Sequence, residues 1–247
     1  MIRPLTPLTL LLFLLLPRVG VADEPDCVVL LHGIGMQSYV MNRLDASLRA
    51  DGYRVINLSY PSRHLPFEQL AGEYLPARLA ENDVGRAPKL HFVAHSMGSL
   101  LVRKLIQDAR PANLGRVVMI GPPNHGSTAA DYAKDNAVLS EFLGGNLVRL
   151  GTGEDAIART LPPADFEVGI IAGEVAINPV FGGVLEGKND GAVTVESAKL
   201  EGMRDFIVVP YSHTVMLWRT EVIEQVRTFL RDGMFSRPEE TAGPNAP

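Results

Sequence analysis

The stretch Lys89–Ala109 constrains the fold of this chain more than any other, because a strand pattern is followed in it by a helix pattern, with one sharp turn between them. It opens with a short apolar run, Leu90–Ala94, which is typical of a buried strand. After the turn, apolar residues recur at helical spacing, namely Met97, Leu100, Leu101, Leu105 and Ile106. The sequence therefore predicts a buried strand, a tight turn and a helix that packs on the sheet.

Ser96 stands at the apex of this turn, in the pattern A-x-S-x-G, a variant of the G-x-S-x-G nucleophile elbow. A strand that turns at once into a helix brings the two backbones close, and the small residues Ala94 and Gly98 leave room for that contact. Such a turn strains the serine backbone and lifts its hydroxyl above the sheet. We predict that Ser96 is a nucleophile; a plain helix N-cap serine is the alternative.

Apolar strands alternate with helical patterns along the chain, which predicts one α/β domain with a mainly parallel sheet and helices on both faces. The six predicted strands are Asp26–His32, Tyr53–Tyr60, Leu90–Ala94, Arg116–Ile120, Glu167–Ala172 and Asp205–Pro210. The predicted helices outside the turn region are Gln37–Ala50, Phe67–Ala80 with a kink at Pro76, and Thr220–Arg231. Sites on such sheets lie at the carboxyl ends of the strands.

Residues 124–164 form a long connection that is rich in glycine and less regular than the rest. A connection of this length on a compact sheet is usually functional, so we predict a cap with short helices at Thr128–Ala133 and Leu139–Leu150. The alternative is a scaffold insertion that never meets substrate. The apolar cap residues could bind an acyl chain or pack on the core; they are Leu139, Phe142, Leu143, Leu147, Val148 and Leu150.

The two ends of the chain are predicted to lie outside the folded domain, which we place at residues 23–235. Residues 1–22 combine a short positive start, a nine-residue apolar run (Leu8–Leu16) and small residues before a cleavage point, as in a secretory signal peptide. This predicts a periplasmic or secreted protein; an uncleaved leader would instead tether it to a membrane. Residues 236–247 are polar and Pro-rich, which predicts a disordered tail. Cys27 is the single cysteine, so an intrachain disulfide is excluded.

A serine hydroxyl needs a base, and the base needs a third group that fixes its tautomer. His213 follows the last predicted strand and is the best candidate for the base. His95 adjoins the serine and is expected to point away from it. Asp190, in a Gly-bounded loop after the fifth strand, is the best acid, while Glu174 is the rival because it follows that strand directly.

A tetrahedral intermediate also needs preorganised N–H donors. The backbone N–H of Met97 is one candidate, because it follows the serine at a helix N-terminus, where the dipole favours negative charge. The second donor should come from the loop after the first strand, where Gly33 and Gly35 let the chain turn. We assign it to Ile34, with Gly33 as the alternative.

Taken together, these motifs resemble the α/β-hydrolase superfamily, most closely its small bacterial secreted lipases and esterases. The resemblance rests on Val29–Gly35 as oxyanion loop, Ala94–Gly98 as elbow, Asp190–Val193 as acid loop and Ser212–Thr214 as histidine turn. The chain order Ser, Asp, His is that of the fold. The resemblance spans Cys27–Leu230 and implies a minimal α/β-hydrolase fold.

Two departures from the family pattern matter. The sheet begins at the oxyanion strand, so the first two of the usual eight strands are missing. The run Gly121–Ser127 is similar to a P-x-H-G-S segment of many lipase-like hydrolases, but a cap that the most minimal lipases lack follows it here.

The expected function is that of a serine hydrolase that cleaves carboxylic esters, including lipid esters, through an acyl-enzyme. The expected catalytic residues are Ser96, Asp190 and His213. The alternatives are an acyltransferase with the same triad and a catalytically silent binding protein. No cofactor is expected, because no metal-ligand spacing is apparent. The net charge of −5 gives no reason to expect a nucleic acid partner. From the predicted triad we expect an ester substrate and, for a lipid ester, transient contact with a lipid surface.

Overall fold

The computed structural model describes residues 24–177 and 185–237. The predicted leader, the loop Phe181-Gly182-Gly183 and the tail beyond residue 237 lie outside these residues. Ser236 and Arg237, which the sequence assigns to the tail, bond to the domain. The N–H of Ser236 donates to Gln225, and Arg237 pairs with Asp205.

The six predicted strands form one all-parallel sheet in the order β2-β1-β3-β4-β5-β6, which confirms the predicted fold class. The strands are β1 (Cys27–Leu31), β2 (Arg54–Leu58), β3 (Leu90–His95), β4 (Leu114–Ile120), β5 (Val168–Gly173) and β6 (Asp205–Val209). Strands β1, β3 and β5 are buried along their whole length, whereas the edge strands β2 and β6 are only partly covered. This pattern is typical of a parallel sheet with helices on both faces.

The helices cover both faces of the sheet. They are α1 (Asn42–Ala50), α2 (Phe67–Gln69), α3 (Leu75–Glu81), α4 (Met97–Ala109), α5 (Thr128–Lys134), α6 (Ala137–Leu143), α7 (Asn146–Arg149), α8 (Val195–Ala198) and α9 (Thr220–Asp232). Alternate residues of β1 belong to different cores: Val29 packs with α3 and α4, while Val28 packs with α1 and α9. The alternation follows from the two-residue period of a strand.

Two predicted helices differ in detail. A 3₁₀ turn, Ser38–Met41, precedes α1. Between α2 and α3 the chain makes a π turn, Leu70–Tyr74, in which the N–H of Leu75 donates to the carbonyl of Leu70. Pro76 has no N–H to donate to the preceding turn, so the predicted kink takes the form of a widened turn.

The prediction of a single cap helix over Leu139–Leu150 is wrong. The chain forms α6 and α7 instead, and the break falls at Gly144, whose φ is +80°. The backbone carbonyl of Arg63 occupies the space that a side chain at position 144 would need. The positive φ of Gly144 ends α6, and the contact with residue 63 requires a glycine at this position. Among the described residues, no helix is long and apolar enough to cross a membrane.

Candidate active site

Ser96 occupies the sharp turn between β3 and α4, with φ +53° and ψ −125°. L-residues rarely adopt this conformation, so the turn is strained as predicted. The N–H of Ser96 donates to the carbonyl of Ile120 at 3.0 Å, which ties the turn to β4. At position 98, a Cβ would come within 2.8 Å of the carbonyl of His32, which explains the glycine there.

Asp190 and His213 form a closely held pair. Nδ1 of His213 lies 2.7 Å from Oδ2 of Asp190, and the backbone N–H of His213 donates to the backbone carbonyl of Asp190 at 2.9 Å. The other carboxylate oxygen, Oδ1, accepts the N–H groups of Ala192 at 2.9 Å and Val193 at 2.7 Å. Asp190 is 2% exposed, so its negative charge is held by these donors and hardly at all by solvent.

The other candidate acids lie elsewhere. Glu174 pairs with Lys188 at 2.6 Å, near the surface. Asp205 begins β6, at the opposite end of the sheet from His213, where it pairs with Arg237. The geometry therefore brings Asp190, and neither of these two, to His213.

Ser96, Asp190 and His213 line one cavity of about 390 Å³, together with Ile34 from the loop after β1. The cavity is lined mainly by apolar side chains; those from the cap are Ala129, Ala130, Ala133, Leu143, Leu147 and Leu150. Two other predicted cap residues do not line it: Leu139 packs on the core and Val148 is exposed. The side chain of Phe142 lies outside the described part of the chain. The structure thus brings Ile34, Ser96, Asp190 and His213 to one mainly apolar chamber.

The two predicted oxyanion donors lie in the loop after β1 and at the first residue of α4. Met97 is buried and begins α4, and Ile34 lies in the glycine turn and lines the cavity. Within the described residues, the N–H groups of Ile34 and Met97 have no protein acceptor. Both groups therefore remain available to a ligand oxygen.

The oxyanion loop is braced by neighbours that the sequence did not indicate. Nδ1–H of His32 donates to the carbonyl of Gly33 at 2.8 Å, and Nε2 accepts the N–H of Tyr60 at 3.3 Å. The rings of His32 and Tyr60 stack at 4.2 Å, and the N–H of Gly35 donates to Ser62. Burial lowers the pKa of His32, so the imidazole is neutral, as these bonds require.

His95 does not lie where the sequence suggested. The prediction that it points away from the site is wrong: its ring lies 4.6 Å from the ring of His213 and lines the cavity. Its Nε2 lies 3.0 Å from the carbonyl oxygen of His213. His95 is still a residue of β3, paired with Ile120 of β4, and the sequence did not indicate that the histidine turn packs against this end of the strand.

Two glycines leave room for the histidine–aspartate pair. Gly121 follows β4 with a φ of +57°, and a Cβ there would lie 3.0 Å from Nδ1 of His213 and 3.2 Å from Oδ2 of Asp190. At position 173, at the end of β5, a Cβ would lie 2.7 Å from the Cβ of Asp190. Side chains at these positions would displace the pair.

The cap is tied to the domain at both of its ends. Ser127 caps α5 by accepting the N–H of Ala130 and donates its hydroxyl to the carbonyl of Ala192, in the acid loop. Arg103 of α4 donates to the side-chain oxygen of Asn124 at 3.1 Å and to the carbonyls of Leu161 and Pro162 at 3.0 and 2.9 Å.

Arg103 is buried and has no carboxylate partner within the described residues. Burial lowers its pKa to about 10, so the guanidinium remains charged near neutral pH. In residues 24–177 and 185–237, no cluster of three or more His, Cys, Asp or Glu side chains could hold a metal ion.

Comparison with known protein families identifies the family to which this chain belongs. The profile of a family described as "Alpha/beta hydrolase family" matches residues 28–240. The chain belongs to the alpha/beta hydrolase family. The predicted resemblance is thereby confirmed, and the chain is a member of a family of hydrolases.

Solved structures share the fold of this alpha/beta hydrolase at low sequence identity. The mature lipase BlEst2 of Bacillus licheniformis is 24% identical in sequence to this chain. The similarity covers 85% of this chain and 90% of the lipase chain, with a TM-score of 0.62. The metagenomic carboxyl esterase MGS0156 is 18% identical over 80% of this chain and 67% of its own, with a TM-score of 0.63.

The esterase RhEst1 from Rhodococcus sp. ECU1013 is 18% identical over 84% of this chain and 91% of its own, with a TM-score of 0.55. These similarities show the fold. No curated protein matches this alpha/beta hydrolase significantly in sequence.

Proposed function

We propose that this alpha/beta hydrolase cleaves carboxylic esters through an acyl-enzyme formed on Ser96. The observation that carries the proposal is the Asp190–His213 pair, which opens with Ser96 on a mainly apolar cavity. The names of the lipase and esterases of the same fold agree with this reaction class.

In the acylation step, His213 is the general base. Asp190 accepts a hydrogen bond from Nδ1–H, so the lone pair of Nε2 is free to take the proton of Ser96. The Ser96 oxygen then bonds to the acyl carbon, and the carbonyl oxygen becomes an oxyanion held by the N–H groups of Ile34 and Met97. Collapse breaks the bond to the alcohol, which leaves with the proton from His213.

Deacylation repeats these roles with water. His213 takes a proton from the water molecule, whose oxygen attacks the acyl carbon, and the proton returns to Ser96 as the carboxylic acid leaves. During both steps the Asp190 carboxylate stabilises the imidazolium that forms on His213. Its two backbone donors hold the carboxylate in place without removing its charge.

An apolar acyl chain is the substrate feature that the cavity fits best. The cap contributes alanines from α5 and leucines from α6, α7 and the residue after α7, so the chamber has few polar groups to satisfy. Burial of each methylene contributes about 0.8 kcal/mol. We therefore include lipid esters, with transient contact with a lipid surface, in the proposed substrate range.

Export of the enzyme is also proposed, from the leader-like residues 1–22 alone. The expected observation is a periplasmic or secreted chain that begins near Asp23 when its N-terminus is sequenced. A full-length chain in the cytoplasm would contradict it.

The decisive experiment combines a fluorophosphonate probe with a panel of esters of graded chain length. Ser96→Ala is expected to lose both labelling and turnover. Ser99→Ala is the matched control, because Ser99 is a buried serine three residues along whose hydroxyl donates to the carbonyl of Ala94 at 3.1 Å. Absence of labelling in the folded wild type would overturn the serine mechanism. Transfer to an added alcohol in preference to water would identify an acyltransferase.

A further inference from the structure

A second histidine, His95, packs against His213, and the mechanism proposed above does not use it. His95 is the last residue of β3 and is fully buried, next to Ser96 in sequence. Its Nε2 lies 3.0 Å from the backbone carbonyl oxygen of His213, and the two rings are tilted at 47°. The contact joins the end of the elbow strand to the histidine turn, 118 residues later.

The partner of Nε2 determines the tautomer of His95. A carbonyl oxygen only accepts, so Nε2 carries the proton and Nδ1 carries a lone pair. Nδ1 is buried and has no hydrogen-bond partner among the described residues. A buried polar atom without a partner costs about 1–3 kcal/mol, so this arrangement is costly for stability alone.

Nδ1 of His95 also lies against the oxyanion loop. A Cβ at position 33 would come within 2.8 Å of this nitrogen and 3.2 Å of the Cβ of Ser96. The imidazole therefore fills the space that the glycine leaves empty. One ring thus contacts the loop of Gly33 and the turn of His213.

We propose that His95 is a positioning residue, which holds the main chain of His213 through Nε2–H and packs Gly33 against Ser96. The proposal rests on the proposed function, because it assigns His95 a role in the reaction of Ser96. Residue 213 then has three anchors: its N–H on the carbonyl of Asp190, its Nδ1 on the carboxylate of Asp190, and its carbonyl on His95.

The role requires a neutral His95, since His213 becomes a cation during the reaction. Burial, and next the nearby charge of His213, hold the pKa of His95 well below its ordinary value of 6.5. The titratable groups around it are His213 and Asp190 from the loops and His32 from the end of β1. A neutral donor orients His213 without repelling its imidazolium.

The test compares variants that keep or remove the donor. His95→Gln supplies an amide N–H at a similar reach, while His95→Leu and His95→Phe supply none. His91→Gln is the matched control: His91 is also a buried histidine of β3, but it lies at the far end of the strand, where its Nδ1 accepts the N–H of Arg116. Only variants that melt cooperatively are compared.

Each donor-free variant is expected to lower kcat for ester hydrolysis about 10- to 100-fold, because small misplacements of a reacting group have effects of this size. KM should stay within about twofold, and His95→Gln and His91→Gln should keep kcat within about threefold. A loss in His95→Gln as large as in His95→Leu, or no loss in either donor-free variant, would overturn the proposal.

A second measurement does not depend on turnover. The proton on Nδ1 of His213, shared with Asp190, should give a low-field resonance in the wild type and in His95→Gln, and should weaken or vanish in the donor-free variants. Persistence of the signal in those variants would overturn the positioning role. A wild type that shows the resonance but hydrolyses no ester would instead contradict the proposed function.

Discussion

The carboxylate of Asp190 uses each of its oxygens for a different task. Oδ2 lies 2.7 Å from Nδ1 of His213, while Oδ1 accepts the backbone N–H groups of Ala192 and Val193. Because Oδ1 is bound on the side away from the histidine, the carboxyl group cannot rotate without losing two hydrogen bonds. The plane of the carboxylate therefore sets the direction in which the imidazole lies.

The first prediction concerns the acid. Asp190→Asn keeps an oxygen for the two N–H groups but turns an amide N–H toward Nδ1, which favours the wrong tautomer of His213. We expect kcat to fall about 10³- to 10⁴-fold, as for comparable triads. Glu174→Gln, which removes only the pair with Lys188, should stay close to wild type in the same ester assay. The reverse order of losses would identify Glu174 as the acid.

The second prediction concerns the strained turn. At φ +53° and ψ −125°, a residue with a side chain is disfavoured by about 1–3 kcal/mol. Ser96→Gly should therefore have a free energy of unfolding at least about 1 kcal/mol above that of Ser96→Ala, although both are inactive. Urea unfolding of the two variants measures the difference. Equal stability would mean that the turn relaxes when the serine is removed.

The third prediction concerns Gly121, which leaves room for the pair formed by His213 and Asp190. In Gly121→Ala the new methyl group would approach Nδ1 of His213 at 3.0 Å, and we expect a loss of about 100-fold in kcat. Gly52→Ala is the matched control, because Gly52 also has a positive φ (+92°) but nothing lies within 4 Å of the position of its Cβ. Both variants should lose stability by about 1 kcal/mol, and only Gly121→Ala should lose activity. A comparable loss of turnover in the control would show that backbone strain is the cause.

The fourth prediction concerns chain length. Ala133 of α5 is 3% exposed and lines the cavity, so Ala133→Leu would fill part of the proposed acyl site. The ratio of kcat/KM for long over short acyl esters should fall about tenfold or more. Ala137→Leu adds the same bulk at an exposed position on the cap and should leave the ratio unchanged. An unchanged ratio in Ala133→Leu would place the acyl chain elsewhere.

The fifth prediction concerns pH and stability. Burial lowers the pKa values of His32, His91 and His95 below the ordinary 6.5 in the folded protein. Below about pH 6.5 the unfolded chain therefore binds protons that the folded protein does not. The free energy of unfolding should fall from pH 7 toward pH 5, by up to about 1.4 kcal/mol per pH unit for each histidine.

His91→Gln tests this dependence away from the proposed site. The variant should show a shallower loss of stability between pH 7 and pH 5 in urea unfolding, because one of the three buried histidines is gone. Its ester hydrolysis at pH 7.5 should match that of the wild type. An unchanged slope would mean that His91 titrates alike in the folded and unfolded states.

Much of this architecture follows from local patterns in the sequence. Near-continuous apolar runs predicted all six strands, and the A-x-S-x-G pattern predicted the turn at Ser96. Because sites of parallel sheets lie at the carboxyl ends of strands, Asp190 and His213 were expected to lie near one another, and their atoms lie 2.7 Å apart. Their catalytic roles remain predictions.

The features that the sequence did not indicate depend on contacts between distant residues. Gly144 ends α6 with a φ of +80°, and its close contact with the carbonyl of Arg63, 81 residues earlier, could not be predicted from the local pattern. His95 was expected to point away from Ser96, and its contacts with the ring and the carbonyl of His213, 118 residues later, leave no trace in the local pattern. The periodicity of apolar residues predicts where helices and strands lie, but it does not predict which distant residues contact their ends.

Arg103 has a consequence for how the cap relates to the rest of the molecule. Its guanidinium, on the helix that follows the elbow, is satisfied by Asn124 at the start of the cap and by the carbonyls of Leu161 and Pro162 at its end. A shortened chain without residues 124–162 would lose these acceptors together, and the cation would need water or other acceptors in their place. Residues 124–162 and α4 are therefore coupled through position 103: in this chain, replacing the insertion also requires a new set of acceptors for Arg103 or a different residue there.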